Sequence, residues 1–432
     1  MQSATWISSL GLDSLVAAGR LIGKDATIYT RPYGMEMSRG LDGGVDCYLL
    51  EQEKPIVAFI AKESEQEAEQ ALLTLGGKIW NQGLANVLVL YLPEKVKIYS
   101  LLDKDSANAS LPHCIYTINE NIKEATQRHL QEIEEGVFFH THADYFRQIN
   151  RVDKRLLENL KKARTELTMG AYPLSRDVAQ ALLLQILFIA YLEDRKIVPE
   201  VDFLSATQGA HSSLSDLLAA GDISALKILF QAMREQFNGD MFLAPGVFTH
   251  LKNSAAFPVL HENHLRFLHG LRSGNISATG QFSLFRLYNF EYIPVSLLSA
   301  IYDHFQNEPG QLEEKGQRKG DTVKRSTGSY FTPAHLAQTC VSLAWKYFPK
   351  EAGQKNDFYV LDPACGSAVF LVCVFQRLAG WIRVARKLQA VGISQRASFA
   401  SAWLRQGKVC TGRRHSFALH CFVGIYGTTS LV

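Results

Sequence analysis

The 432-residue chain has no Pro-Pro dipeptide, no two cysteines at CxxC spacing, and neither the GxGxxG nor the GxxxxGK[ST] glycine pattern. Its seven cysteines therefore supply neither a disulfide framework nor a zinc site. Without the two glycine patterns, neither the dinucleotide fingerprint nor the common phosphate loop is available. Long apolar runs are also missing. The best candidate, Val178 to Leu192, carries Gln180 and Gln185 and runs into Glu193, Asp194 and Arg195, so it reads as a buried helix rather than a membrane span. The first residues, MQSATWISSLGLDSLVAAG, have neither the basic lead nor the apolar centre of a secretory signal. These absences point to a cytoplasmic protein with no membrane partner. Acids are absent from one region: from Pro363 onward there is no Asp or Glu, against nine Lys or Arg. The net charge of +3 thus hides a formal −6 over residues 1–362.

What is present is organised around Phe358 to Leu371, FYVLDPACGSAVFL. Apolar, β-prone residues lead into Asp362, a small-residue turn follows, and an apolar helical run continues through Phe375 and Leu378 to Trp381. Such a turn leaves backbone N–H groups free at a helix N-terminus, with Gly366 giving room for a ligand to approach the main chain. Asp362 then sits at the carboxyl edge of a sheet, where open α/β sheets bind ligands. Cys365 reads as a small residue in a tight turn rather than a nucleophile.

This stretch resembles the first motif of adenine-specific DNA methyltransferases, DPACGSG followed by an apolar helix. Gly328, Ser329, Tyr330, Phe331, Thr332 and Pro333, about thirty residues upstream, match the GxYxTP motif of the same family. Ala368 stands where the family has a second glycine, adding one methyl group at a close backbone approach. The resemblance implies S-adenosylmethionine as cofactor, with Tyr330, Thr332, Pro333, Asp362, Pro363, Ala364, Cys365 and Gly366 as its contacts. It also implies double-stranded DNA as substrate and methyl transfer to the amino group of an adenine flipped out of the duplex. The family's catalytic Asn/Asp-Pro-Pro-aromatic motif has no counterpart, so no catalytic residue is assigned. Only 66 residues follow Gly366, and the acid-free tail beyond Gln389 has little periodic order. The expectation is an inactive fragment of a methyltransferase whose last residues, 390–432, come from a shifted reading frame.

Residues 1–120 read as an α/β domain. A glycine-rich turn is expected at Gly40 to Gly44, strands at Val45–Leu50, Pro55–Lys62, Asn86–Tyr91 and Lys97–Leu101, and a helix from Glu63 to Leu75. Asp46 on one strand and Lys62 on the next resemble two positions of the PD-(D/E)xK nuclease core. Ile60 stands where the second carboxylate belongs, so an active nuclease with Mg²⁺ is not expected, and no metal ligand is assigned. Residues 121–174 read as connector helices with Leu156, Leu157 and Leu160 on one face. Residues 175–305 read as a helical domain. Its Tyr191–Arg195, Phe237–Phe242 and Tyr292–Tyr302 segments resemble large restriction-modification methyltransferases. Residues 306–325 are a polar linker and 326–389 the start of the methyltransferase domain.

The fold class expected is α/β plus α: a PD-(D/E)xK-like α/β domain, a central helical domain and an incomplete Rossmann-like methyltransferase domain. The function expected is that of an adenine-specific DNA methyltransferase of a bacterial restriction-modification system, with other subunits of such a system as further partners. The alternative is a DNA- or partner-binding remnant without enzyme activity.

Overall fold

The structure, a computed structural model, describes residues 5–25, 28–29, 31–102, 111–237, 260–273, 288–306, 332–347, 362 and 369–390. The chain divides into two units. The first comprises Met1–Arg155, Leu287–Pro294 and Gln376–Ala397; the second comprises Leu156–Arg286, Val295–Phe375 and Ser398–Val432.

In the first unit, short helices α1 (Thr5–Ser9) and α2 (Asp13–Ala17) precede β1 (Leu21–Ile22), α3 (Gly34–Asp42), β2 (Cys47–Glu51) and β3 (Lys54–Ala61). Helix α4 (Glu65–Gln82) crosses to β4 (Val87–Leu92), and β5 (Lys95–Ser100), β6 (His113–Ile118), α5 (Ile122–Glu134) and α6 (Val137–Thr141) follow. The six strands lie in sequence order. Only β3 and β4 pair in parallel, and helix α4 supplies the crossover that a parallel pair needs. Central strands buried on both faces must be apolar throughout. Accordingly Val57 to Ile60 and Val87 to Leu90 have no solvent exposure.

Three features depart from the sequence reading, each for a long-range reason. Gly40, expected in a turn, lies inside α3; a side chain there would meet the hydroxyl of Tyr48, so only glycine fits the helix at that point. Helix α4 runs on to Gln82, past the expected end at Leu75 and through Gly76, whose missing side chain lets Pro112 approach. Strand β6 was not expected. It is an edge strand with mostly exposed or half-buried residues, so no apolar alternation marks it. A buried polar chain ties the unit together. Tyr48 Oη donates to Gln82 Oε1 at 2.9 Å, and Gln82 Nε2 donates to the Glu36 carbonyl at 2.8 Å. The Glu36 carboxylate accepts from Gln376 Nε2 at 2.8 Å.

The second unit is helical. After α7 (Val152–Met169) come α8 (Arg176–Asp194), α9 (Glu200–Ala206), α10 (Leu214–Ala220), α11 (Ile223–Phe237), α12 (Glu262–Ser273) and α13 (Val295–Gln306). It ends with α14 (Ala334–Lys346) and the start of α15 (Val369–Ala390). Helix α8 begins where the Ser175 hydroxyl caps Val178 N–H. Its residues Leu182 to Leu192 are buried all round, as its near-continuous apolar sequence predicts. Among the described residues no helix is long and apolar enough to cross a membrane.

The start of α12 is held by an imidazole. His264 Nδ1 accepts from His261 N–H at 3.0 Å, and His264 Nε2 lies 2.6 Å from the Tyr172 carbonyl oxygen, which can only accept. The bond from His261 N–H forms only with a neutral ring, and burial lowers the His264 pKa from its ordinary value, with the Tyr172 bond opposing it. The unfolded chain takes up a proton near pH 6.5, which the folded ring resists until lower pH. The stability this histidine contributes is therefore full above pH ~6.5 and lost as the pH falls below it. In His264→Asn the loss of stability between about pH 6.5 and 5 should be shallower in urea titrations; an unchanged slope would refute the role.

Candidate functional site

The two sequence motifs flank the helix pair α14 and α15. Helix α14 starts directly after Pro333, whose extended backbone (φ −56°, ψ 139°) turns the chain into the first turn. A proline suits the first turn of a helix, so the sequence predicts one over Ala334 to Tyr347, and the observed span is Ala334–Lys346. The Pro333 carbonyl accepts from Leu336 and Ala337 N–H, and among the described residues no side chain caps the N-terminus. The helix thus begins with backbone donors available to a ligand. Helix α15 starts at Val369, seven residues after Asp362.

The two helices share an apolar cluster. Ala337 and Val341 of α14 are buried with Val369 and Cys373 of α15, and Ala334, Phe370 and Val374 pack against them. Every member from either helix lies within its first two turns, so the packing gathers the helix beginnings to which the motifs attach. Thr332 and Asp362 are half-buried and Pro333 is exposed. Tyr330, Pro363, Ala364, Cys365 and Gly366 lie outside the described residues.

Near β2 and β3 the register clarifies the other sequence expectation. Asp46 N–H donates to the Phe59 carbonyl at 2.9 Å, immediately before the Cys47–Phe59 pair that opens β2. Alternation along β3 sets Ile60 and Lys62 on the same side. The Asp46 carboxylate is engaged by the backbone, its Oδ2 accepting Ala61 N–H at 2.7 Å. Ile60, at the position where the second carboxylate was expected, has no exposure. Among the described residues no three His, Cys, Asp or Glu gather as a metal ion would need. Sequence reading passed over Glu36, a buried carboxylate 6% exposed. Its only local signal is a charge set between Met35 and Met37 on a buried helix.

Comparison with known proteins locates one likeness. No curated protein and no solved structure matches the chain. Residues 317–398 match the family model of N-6 DNA methylase, and this span takes in both motifs and the start of the helix that follows each. That match supports a methyltransferase acting on DNA, by likeness of this segment to the N-6 DNA methylases.

Proposed function

We propose that this chain derives from an adenine-specific DNA methyltransferase of a restriction-modification system, a cytoplasmic enzyme, and that its segment 326–389 binds S-adenosylmethionine. The observation that carries the reading is the packing of α14 on α15 over their first two turns, which brings together the beginnings of the two helices that follow the motifs in the sequence.

The residues there fit such a cofactor. The uncapped N-terminus of α14 suits a carboxylate, through its free amides and the positive end of the helix dipole. The Asp362 carboxylate can accept hydrogen bonds from hydroxyl or amino groups. Thr332 adds a hydroxyl, and Pro333 fixes the backbone between it and the helix. Tyr330, Pro363, Ala364, Cys365 and Gly366 complete the proposed contacts. When bound, the cofactor supplies an electrophilic methyl group. The protein's part is to orient it toward the adenine nitrogen and to keep water out, a contribution of proximity and alignment. No Pro-Pro dipeptide is present to hold a flipped adenine, so this polypeptide alone should bind the cofactor without transferring methyl to DNA. The same arrangement at Asp46 and Ile60 argues against Mg²⁺-dependent cleavage by the first unit.

Calorimetry with the full chain tests the reading. S-adenosylmethionine should bind saturably, and Asp362→Ala should weaken it by about 10- to 100-fold, the effect of losing a hydrogen bond to a charged group. Equal binding by both proteins, or none by either at about 1 mM, would remove the proposal. Methyl transfer from labelled cofactor to mixed-sequence DNA would overturn the inactivity alone.

A further inference from the structure

In the first unit, the end of β6 and helices α5 and α6 wall a cavity of about 620 Å³. Cavities of this size take small ligands. Three rings among its lining residues form a bonded set. His129 Nδ1 lies 2.8 Å from Glu132 Oε2, and its ring stacks on Tyr116 at 4.3 Å. The Tyr116 hydroxyl lies 3.0 Å from His142 Nε2, and the His142 ring packs 4.8 Å from Phe138.

The partners decide which nitrogen carries a proton. A carboxylate only accepts, so His129 Nδ1 holds the hydrogen and, in the neutral ring, Nε2 is left as an acceptor. Burial lowers the His142 pKa, keeping that ring neutral. The Tyr116 hydroxyl then donates to His142 Nε2, and Nδ1–H is left as a donor. With both rings neutral, the bonded set has one spare acceptor and one spare donor on two rings that each contact Tyr116, the pattern that pairs with the amino group and ring nitrogen of a nucleobase.

Charge narrows the class further. Glu132 is committed to His129, leaving Arg128 and Glu120 as the other charged residues lining the cavity, both exposed. One cation offset by one carboxylate accommodates a single phosphate better than a chain of them.

We propose that this cavity is a nucleotide subsite: His129 Nε2 and His142 Nδ1 take the edge of one nucleobase, and Arg128 takes its phosphate. The subsite does not depend on the methyltransferase reading. Its occupant is a nucleoside monophosphate unit, either free or at the end of a nucleic-acid strand.

The test is calorimetric, on the full chain, with adenosine, AMP, ATP, inorganic phosphate and a 5′-phosphorylated oligonucleotide as probes. AMP should saturate the site and outbind ATP and phosphate. His142→Phe, which keeps a ring against Phe138 and removes the donor, should weaken adenosine and AMP alike by about tenfold. Arg128→Ala, an exposed change that leaves folding intact, should weaken AMP by about fivefold and leave adenosine unchanged. Competition by the oligonucleotide at equal end concentration assigns the site to strand ends, and competition by AMP alone assigns it to free nucleotide; either supports the subsite. The proposal fails if neither adenosine nor AMP saturates by about 5 mM, if phosphate competes as well as AMP, or if Arg128→Ala weakens both probes equally. Should His142→Phe fail to fold, the Arg128→Ala comparison decides alone.

Discussion

Replacing Arg272 by methionine should destabilise the second unit by about 3 kcal/mol, the low end for breaking a buried ion pair on one side only. The Arg272 guanidinium contacts both Glu193 and Asp194 at the end of α8, and its own side chain and that of Glu193 are only 16% and 18% exposed. Glu193 also accepts Leu214 N–H at 2.9 Å, so it cannot turn to solvent without releasing the start of α10. Methionine fills much of the volume but leaves the carboxylate without its cation.

A pH signature separates this cause from lost packing. Burial raises the Glu193 pKa above the ordinary carboxylate value even with Arg272 opposing it. Between the unfolded and the raised folded pKa, the folded state binds more protons, so stability through this group falls as pH rises. Without Arg272 the folded pKa rises further and the window widens. Acidification from about pH 7 to 5 should therefore recover more stability in the variant than in the parent, by urea titration or by hydrogen exchange in α8 and α12. A parallel pH dependence in both would show that lost packing, not charge, carries the cost.

The first unit should be hit as hard by one added methyl group. A Cβ at Gly40 would stand 1.8 Å from the Tyr48 hydroxyl and 2.9 Å from Gln82 Nε2. Tyr48 has no exposure and is held in the sheet, so its ring cannot swing away cheaply. Gly40→Ala should cost about 2–4 kcal/mol, combining overpacking with rupture of the buried chain from Tyr48 through Gln82 to Glu36. Tyr48→Phe alone should cost about 1 kcal/mol, the net loss of one hydrogen bond. The double variant should cost less than the sum, because removing the hydroxyl relieves the worst of the clash. Strict additivity in thermal melts would show that the contact at Tyr48 is not what makes Gly40 necessary.

Legibility followed the range of the interaction. Helix α14 could be read to within a residue, since Pro333 starts it and an apolar period carries it. Strand β3 and helix α8 could also be read, because burial on all sides writes a continuous apolar run. Helix α3 and the last two turns of α4 could not, because Gly40 and Gly76 look like chain breakers until Tyr48 and Pro112 are brought beside them. Strand β6 carries no pattern of its own, being recruited by pairing with β5.

The sequence by itself determined the order and spacing of the two motifs, the residues proposed to hold a cofactor, and the missing Pro-Pro dipeptide, since all of these are written in neighbouring letters. Only the tertiary structure decided that α14 and α15 pack at their beginnings, that the Asp46 carboxylate is taken by Ala61 N–H, and that His129, Tyr116 and His142 meet around one cavity. Those facts join residues far apart along the chain. Which partner a buried polar or small residue finds is set by the packing of whole elements, and local periodicity carries no record of it.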